Sequence, residues 1–397
     1  MGRLEEAGYR FVRYPNPVIG QGMTPLDGLL VVALEQAVAA PYCTARLADA
    51  GARIVKIERP EGDFARGYDR AAAGQSSYFV WLNRGKESAV VDLADEVARG
   101  RLRSLIAKAD VLIQNLKPGA LARLGLSIES LRREFPALIC CSISGYGDTG
   151  PLARRKAYDL LIQAESGLSS ITGGPEGPAR VGMSIVDVAT GATAYAAILE
   201  ALIARARTGE GADIRVSLFD VMDDWLAVPL LNAEAGAAPQ RMGLAHPSIA
   251  PYGAFESADG RKILISIQSE REWRRLCTEV LERPDLLDDA RFADNVARVQ
   301  HRALTDDAVG ACFARLPRDR LIERLTRADI AFAEVNDMSD LSKHPHLRRI
   351  EVETPAGAVA LPAPAPIFAG AERRYGRVPA LGEHTDKVFP NGRKRGK

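Results

Sequence analysis

The chain has 397 residues, which is enough for two or three domains with sizeable cores. Its 52 basic and 51 acidic residues leave a net charge of +1, so it lacks the basic excess of a nucleic-acid-binding protein. The five cysteines show no metal-site spacing, and their odd number is typical of a reduced, intracellular chain with buried thiols. We expect no signal segment and no stretch as long as a membrane span, and therefore a cytoplasmic protein without membrane contact.

The first elements along the chain predict an α/β domain. Residues 1–24 show no hydrophobic period and are predicted to form an N-terminal arm. The apolar run within Pro25–Leu34 predicts a strand, a helix is expected at about 40–50, and residues 52–58 predict a second strand. Strand, helix and strand with short joints form a βαβ unit of a parallel sheet. The joint at 35–41 contains no glycine, so it lacks the G-x-G-x-x-G pattern of a dinucleotide site.

The same alternation continues through the first half of the chain. Strands are predicted at 88–93, 109–114 and 138–147, with helices at about 97–108 and 127–133. The last of these strands runs into a loop rich in glycine and serine, whose backbone N–H groups are suited to hold an anion. The pattern as a whole predicts a large Rossmann-like domain built on a parallel sheet.

A long helix is predicted from Val188 to Arg207. This stretch is rich in Ala and Leu, carries basic residues only in its last turn and stops at Gly209. Asp187 stands directly before it and has two interpretations. The simpler one is an N-cap, for which Asp is a preferred residue. The other is a catalytic carboxylate at the positive end of the helix dipole, and the sequence pattern alone favours the cap.

Beyond about residue 225 the pattern changes. Residues 252–266 predict a β-hairpin that turns at Asp259 and Gly260. Helices are expected near 270–282, 303–313 and 318–328. These elements predict a second, smaller α+β domain, after which the chain returns to the large domain.

Four segments carry the patterns of a known family. Residues 115–125 match N-(F/Y)-x-P-G-x-(L/M)-x-(R/K)-x-G except at the second position, residues 142–147 match S-x-(S/T)-G-(Y/F)-G, and residues 208–220 match T-G-x-G-x-x-(I/V)-x-(V/A)-S-L-x-(D/E). The fourth segment is 381–386, near the C-terminus. These segments resemble the family III CoA-transferases, the group that includes formyl-CoA transferase, carnitine CoA-transferase and the methylacyl-CoA racemases. The resemblance extends from about Pro25 to about Val388.

The resemblance implies a set of site residues. Asp187 matches the aspartate that carries the acyl group, and Asp159 matches an active-site glutamate of formyl-CoA transferase. Asp187 would attack the donor thioester, so that transfer passes through an aspartyl anhydride and an aspartyl-CoA thioester. Gly145 is expected in the floor of the CoA pocket, where backbone N–H groups could stabilise an oxyanion. The other candidate CoA-binding residues are Val38, Arg59, Asn83, Lys86, Asn115, Leu116, Arg123 and Lys156.

Position 158 bears on the type of reaction. The racemases of this family carry a histidine there, whereas this chain has Tyr158 and no histidine before His246. A racemase needs a second base with a pKa near neutrality, and the nearby sequence does not supply one. CoA transfer is therefore the leading hypothesis. A 2-methylacyl-CoA racemase and a non-catalytic CoA-binding protein are the alternatives, and His246 is interpreted as structural or pocket-lining.

The acceptor is expected to be a small dicarboxylic acid such as mesaconate, itaconate, citramalate or succinate. Arg180, Arg241 and Arg261 could pair with its second carboxylate, although three solvent-exposed arginines are an equally good interpretation. The chain lacks the glycine-quartet flap of formyl-CoA transferase. CoA is expected as a substrate rather than a tightly bound cofactor, and no metal site is predicted.

The resemblance also implies the assembly, a homodimer of two interlocked, ring-like chains. The predicted domains are an N-terminal arm at 1–24, the N-terminal part of a large CoA-binding domain at 25–205, a linker at 206–224, the small domain at 225–330, a linker at 331–350, and the C-terminal part of the large domain with a basic tail at 351–397.

Overall fold

The computed structural model of the protein describes residues 24–369 and 373–390. The predicted N-terminal arm, apart from its last residue, and the basic tail at 391–397 lie outside these ranges. The chain forms two compact units. The larger comprises the described parts of 1–162, 183–223 and 348–397, and the smaller comprises 163–182 and 224–347. Residues 163–182 thus group with the smaller unit, whereas the sequence placed them in the large domain. The predicted domain boundaries stay a prediction.

The larger unit is built on a six-stranded parallel sheet with the strand order β3-β2-β1-β4-β5-β6. Its strands are β1 (Leu30–Leu34), β2 (Arg53–Glu58), β3 (Lys86–Val90), β4 (Val111–Gln114), β5 (Ile139–Ser144) and β6 (Asp213–Ser217). Val32 of β1 pairs with Val55 on one side and with Leu112 on the other. The central strands are buried on both faces, which explains their continuous apolar runs. This is the Rossmann strand order, and it confirms the predicted α/β class. Sheets of this type bind ligands at the carboxyl ends of their strands.

The helices of both units are, in chain order, α1 (Ala39–Asp49), α2 (Ser77–Asn83), α3 (Glu96–Ile106), α4 (Ala120–Arg123), α5 (Ile128–Glu134), α6 (Asp159–Glu165), α7 (Leu168–Ile171), α8 (Ile185–Thr208), α9 (Leu218–Trp225), α10 (Ala227–Glu234), α11 (Glu270–Arg275), α12 (Asn295–Gln300), α13 (Arg302–Phe313), α14 (Arg318–Arg327), α15 (Met338–Ser342) and α16 (Thr385–Val388). Short 3-10 segments occur at Phe64–Gly67, Pro284–Leu287 and Ala290–Phe292, and a π-helical turn at Leu276–Val280. Helix α2 was not predicted. The Ser76 hydroxyl caps its start by accepting from the Phe79 N–H at 3.4 Å.

The core of the larger unit lies against the parallel sheet. On one face, α3 and α5 contribute Leu102, Ile106 and Leu131, which cluster with Val32 of β1 and other strand residues. Helix α8 contacts β5 and β6 and packs on α1. The larger unit also contains a two-stranded antiparallel sheet of β10 (Arg349–Thr354) and β11 (Gly357–Pro362). All five cysteines of the chain are buried free thiols, as predicted.

Gly191 lets α8 and α1 approach closely. A Cβ atom at this position would collide with the Ala39 carbonyl oxygen and would lie 2.9 Å from Tyr42 Cβ. We therefore expect Gly191→Ala to lower the free energy of unfolding by about 1–3 kcal/mol, although alanine is the better helix former. The control is Gly100→Ala in α3, where no atom stands near the added methyl group and stability should rise by up to about 1 kcal/mol. Urea unfolding checks both signs, and equal stabilisation in the two variants would contradict the close contact.

The expectation that no stretch reaches the length of a membrane span was wrong. Helix α8 has 24 residues and is long and apolar enough by length and composition. This is weak evidence for a span, because the packed helices of soluble proteins can share these properties. Val186, Ala189, Ala194 and Ile198 of α8 are buried within the larger unit.

The smaller unit contains a three-stranded antiparallel sheet. Its strands are β7 (Tyr252–Glu256), β8 (Lys262–Ser266) and β9 (Ala331–Glu334), in that spatial order. The hairpin of β7 and β8 confirms the prediction for 252–266. Strand β9 lies in a segment that was predicted to be a linker. It pairs with β8, which is distant along the chain, and a local sequence pattern cannot predict such a pairing. Phe255, Ile265, Trp273, Phe313 and Leu321 belong to the core of this unit.

Candidate active site

A cleft of about 310 Å³ opens at the carboxyl ends of the parallel strands of the larger unit. Its walls are the ends of β1, β2 and β3 and the first residues after β4. The lining residues are Leu34, Glu35, Gln36, Ile57, Glu58, Arg59, Pro60, Glu61, Gly62, Asp63, Val91, Asp92, Leu93, Ala94 and Leu116. This is the edge at which open α/β sheets bind ligands.

The turn between β1 and α1 borders the cleft and is held by side chains from neighbouring segments. The Asn115 side-chain amide accepts a hydrogen bond from the Gln36 N–H at 2.9 Å and donates one to the Gln36 carbonyl oxygen at 2.8 Å. The Asp63 carboxylate accepts from the Ala37 N–H at 3.1 Å. Ala37 has a φ of 63°, in the left-handed region that residues other than glycine rarely adopt. Such a strained turn persists because the surrounding hydrogen bonds fix it.

A buried charge network lies beneath this turn. The Lys56 Nζ atom is 2.8 Å from Asp63 Oδ2 and 3.5 Å from Glu35 Oε1. The Lys86 Nζ atom is 2.6 Å from the same Glu35 oxygen and 3.1 Å from Asn83 Oδ1. The charged side chains of this network are fully buried. The network therefore joins β1, β2, β3 and the loop after β2 under the cleft.

The structure separates the predicted CoA contacts into groups. Arg59 and Leu116 line the cleft, and Asn115 holds the turn at its edge. Val38 is buried in the same turn, where its carbonyl oxygen accepts from the Tyr42 N–H.

Four further predicted residues lie elsewhere. Asn83 and Lys86 lie in the interior and bond to other groups of the protein. These bonds indicate that the two side chains stabilise the turn rather than contact a ligand directly. Arg123 and Lys156 are exposed and lie outside the lining of the cleft. The roles of all these residues in CoA binding stay a prediction.

Asp187 lies inside the first turn of α8, not in front of it. The helix begins at Ile185, earlier than predicted, and its N-cap is Ser184, whose side chain makes no capping hydrogen bond. The cap comes from another segment: Asp159 Oδ1 accepts from the Val186 N–H at 2.8 Å and from the Asp187 N–H at 3.2 Å. The interpretation of Asp187 as the N-cap was therefore wrong, because Asp159 occupies the helix start.

The Asp187 carboxylate has an unusual environment for an acid. It is partly buried, and in the part of the chain that the structure describes no hydrogen bond or ion pair reaches it. Burial, together with the negative charge of Asp159, raises the pKa of Asp187 to about 7. An unpartnered carboxylate of this kind is available as a nucleophile whenever it is ionised.

This environment predicts a pH-dependent cost in stability. The Asp187 pKa is about 7 in the folded protein against an ordinary value of 3.8, so between these values the folded state binds a proton that the unfolded chain does not. The free energy of unfolding must then fall as pH rises through this window. We expect Asp187→Asn to be more stable than the wild type by roughly 1–4 kcal/mol at about pH 8, with the advantage shrinking towards pH 4.

Urea unfolding of both proteins across this pH range measures the difference. The exposed helix residue Glu96 offers a control, since Glu96→Gln also removes one carboxylate but not a buried one. An advantage of Asp187→Asn that did not vary with pH would contradict the raised pKa.

Aromatic residues that the sequence analysis missed lie near Asp187. Tyr68 stacks edge-on against Tyr78 with ring centroids 5.7 Å apart, and Phe64 is 5.8 Å from Tyr68. Burial and nearby carboxylates, Asp187 among them, raise the pKa of Tyr68 to about 12. The Tyr78 hydroxyl is 3.1 Å from the Ser184 hydroxyl at the start of α8. Phe64 and Tyr68 stand four residues apart in the sequence, a spacing that could have pointed to these aromatic residues.

Asp187 and the cleft are linked through α1. The turn that borders the cleft leads directly into α1, and Gly191, one helical turn after Asp187, packs on Ala39 at the start of α1. The charges of Asp63, in the cleft lining, and of Asp187 both act to raise the pKa of Tyr68. The two features therefore belong to one region of the larger unit.

Gly145 lies in the loop after β5, close to the segment that carries Asp159. Its carbonyl oxygen accepts from the Phe219 N–H at 3.0 Å. A side chain at this position would collide with Ala157, so the close approach of the two loops requires glycine. Stabilisation of an oxyanion by this loop stays a prediction, as does the predicted contact of Asp159 with substrate or CoA.

The remaining polar candidates lie in the smaller unit. His246 stacks on Tyr252, and its Nδ1 atom accepts from the Ser248 N–H at 3.1 Å, in line with a structural role. The Arg241 guanidinium donates to the carbonyl oxygens of Gly174 and Ser170. Within residues 24–369 and 373–390, no cluster of three His, Cys, Asp or Glu side chains could hold a metal ion.

Comparisons with known proteins identify the family. The model of CoA-transferase family III matches residues 26–385. The chain is 37% identical to the acetyl-CoA:oxalate CoA-transferase of Acetobacter aceti over 85% of its own length and 87% of that protein. It is 36% identical to the succinate–glutarate CoA-transferase of Agrobacterium fabrum over 92% of its own length and 95% of that protein.

A solved structure supports the same assignment. The crystal structure of a CAIB/BAIF family protein from Brucella suis matches with a TM-score of 0.81 and 37% identity, covering 92% of this chain and 98% of that one. The resemblance found in the motifs is thereby confirmed. The chain belongs to the family III CoA-transferases and is an enzyme of the CoA-transferase type.

Proposed function

We propose that the protein transfers CoA from an acyl-CoA thioester to a small dicarboxylic acid, with Asp187 as the nucleophile. The observation that carries this proposal is the partly buried, unpartnered carboxylate of Asp187 in the first turn of α8. The relatives named for oxalate and for succinate and glutarate support a dicarboxylic acceptor.

The reaction divides into carboxylate and thiolate attacks. The Asp187 oxygen attacks the donor carbonyl carbon, the C–S bond breaks, and CoA leaves as a thiolate with the electron pair. The thiolate then attacks the Asp187 carbonyl of the mixed anhydride, which releases the donor acid and forms an aspartyl-CoA thioester. The acceptor carboxylate repeats the first step on this thioester, and the returning thiolate takes the acceptor acyl group and restores the Asp187 carboxylate. Each step replaces a slow bimolecular exchange by attack between groups held in place.

We propose that the nucleotide end of CoA occupies the cleft. Its position at the carboxyl ends of β1 to β4 supports this, as does Arg59 in the lining. The lining also contains five acids: Glu35, Glu58 and Asp63 pair with Lys86, Arg66 and Lys56, whereas Glu61 lies 3.9 Å from Arg59 and Asp92 is exposed. Arg123 and Lys156 are exposed cations that would contact the phosphates.

The second carboxylate of the acceptor needs a cationic partner. Arg180, Arg241 and Arg261 are the candidates. All three arginines belong to the smaller unit, and their role stays a prediction. Mesaconate, itaconate, citramalate and succinate are the acceptors we expect alongside those named for the relatives.

We also propose a homodimer of interlocked, ring-like chains in the cytoplasm. Helix α10 supports the dimer, because none of its residues is buried and Val228, Leu230 and Leu231 are exposed apolar side chains. The buried, reduced cysteines support a reducing compartment.

Mass spectrometry after incubation with succinyl-CoA and quenching in acid tests the proposed function. The wild type should gain a covalent adduct with the mass of the succinyl or CoA group, and Asp187→Ala should gain none. Addition of oxalate, succinate, glutarate or mesaconate should discharge the adduct faster than addition of acetate. Absence of any adduct with succinyl-CoA and other short acyl-CoA donors would count against transfer through an aspartate.

A further inference from the structure

We propose that Asp159 is a positioning residue that caps α8 in place of Asp187 and so keeps the Asp187 carboxylate free of hydrogen bonds for attack. This inference rests on the proposed role of Asp187 as the nucleophile. It gives Asp159 a task that needs no contact with substrate or CoA.

The start of a helix is a poor place for a nucleophilic carboxylate. The first N–H groups have no partner within the helix, and an acid in the first turn is drawn to them and to the positive end of the helix dipole. Hydrogen bonds of this kind stabilise the ionised carboxylate and lower its basicity. An Asp187 that capped its own helix would therefore attack a thioester slowly.

Asp159 removes this competition. Its Oδ1 atom accepts from the Val186 and Asp187 N–H groups, at 2.8 Å and 3.2 Å, while the Ser184 side chain makes no capping bond. The two donors that stand nearest to the Asp187 side chain along the chain are thus already engaged. The negative charge of Asp159 also opposes ionisation of Asp187, in the same direction as burial.

Phenols also lie in this region. The charges of Asp187, Tyr158 and Tyr78 all act to raise the pKa of Tyr68. The pKa of Tyr68 is raised to about 12, so this group stays neutral across the range in which Asp187 ionises. Among the described residues, Asp159 is therefore the charged group that sets the ionisation of Asp187 beyond burial itself.

Two substitutions separate the cap from the charge. Asp159→Asn keeps an oxygen that can accept from the same two N–H groups but removes the negative charge. Asp159→Ala removes both. The matched control is Asp95, which caps α3 by accepting from the Val97 and Ala98 N–H groups at 3.1 Å and 3.2 Å.

The kinetic measurement is the rate of adduct formation with succinyl-CoA in single turnovers, followed from about pH 5 to pH 9. The wild-type rate should rise with pH through about 7, because only ionised Asp187 attacks. In Asp159→Asn this rise should move down by roughly one pH unit. In Asp159→Ala the rate at high pH should fall at least about tenfold, since Asp187 turns to the vacated N–H groups. Asp95→Asn and Asp95→Ala should leave the wild-type profile in place.

An equilibrium measurement tests the same inference without catalysis. The pH dependence of urea unfolding reports the ionisation of Asp187 in the folded protein. Asp159→Asn should show a smaller loss of stability between about pH 4 and pH 8 than the wild type. If it shows the same loss, or if Asp159→Ala forms the adduct at the wild-type rate, Asp159 does not keep Asp187 available. A wild type that forms no adduct, yet shows the expected pH dependence, would instead reject the proposed function alone.

Discussion

Asp187→Asn is expected to lower kcat with any acyl-CoA donor by a factor on the order of 10³ or more. The amide that replaces the carboxylate cannot attack the thioester, and it cannot leave as a stable anion when the thiolate returns. The KM for the donor should change little, because Asp187 does not line the cleft proposed for the nucleotide end of CoA. The loss should therefore fall on kcat rather than on binding.

Steady-state kinetics and calorimetric titration with CoA separate these two effects. Asp187→Ala accompanies the asparagine variant, because asparagine can deamidate to the original residue and restore traces of activity. Glu96→Gln, at an exposed acid in the first turn of α3, should keep both kcat and KM. A variant at position 187 that retained more than about a tenth of the wild-type kcat would show that the carboxylate is not the nucleophile.

Lys56→Met is expected to lower the free energy of unfolding by about 3–5 kcal/mol. The Lys56 ammonium lies between Asp63 and Glu35, at 2.8 Å and 3.5 Å, and all three side chains are fully buried. Burial acts to lower the pKa of Lys56, but the two carboxylates outweigh it and raise the value. Removal of the ammonium leaves a buried excess of negative charge that water cannot reach.

The same substitution should weaken CoA binding. Asp63 holds the Ala37 N–H in the strained turn at the edge of the cleft, and Lys56 holds Asp63. The control is Arg53→Met on the same strand, where an exposed pair with Glu87 at 2.8 Å is lost and less than about 1 kcal/mol is expected. Urea unfolding and CoA titration of both variants provide the measurement. Equal stability losses at positions 53 and 56 would mean that burial does not decide the strength of these pairs.

The strands and their order along the chain follow from the sequence because their cause is local. A strand buried on both faces needs a continuous apolar run, and Leu30–Leu34 and Val111–Gln114 supply it. The glycine-bearing turns and the family motifs are also contiguous, so the family and the candidacy of Asp187 could be predicted from the residues alone. The hairpin could also be predicted, because its turn residues Asp259 and Gly260 lie directly between the two strands in the sequence.

The tertiary structure decided what depends on residues distant along the chain. Asp159 takes the start of α8 from Asp187 across 28 positions, and no local pattern contains such a bond. Lys86 points inward because Glu35, directly after β1, and Asn83 offer buried partners for its ammonium group. Strand β9 formed only because β8 was present to pair with it. The sequence alone determined the family and made Asp187 the candidate nucleophile, whereas the packing of distant segments determined the surroundings of that carboxylate and the support of the cleft.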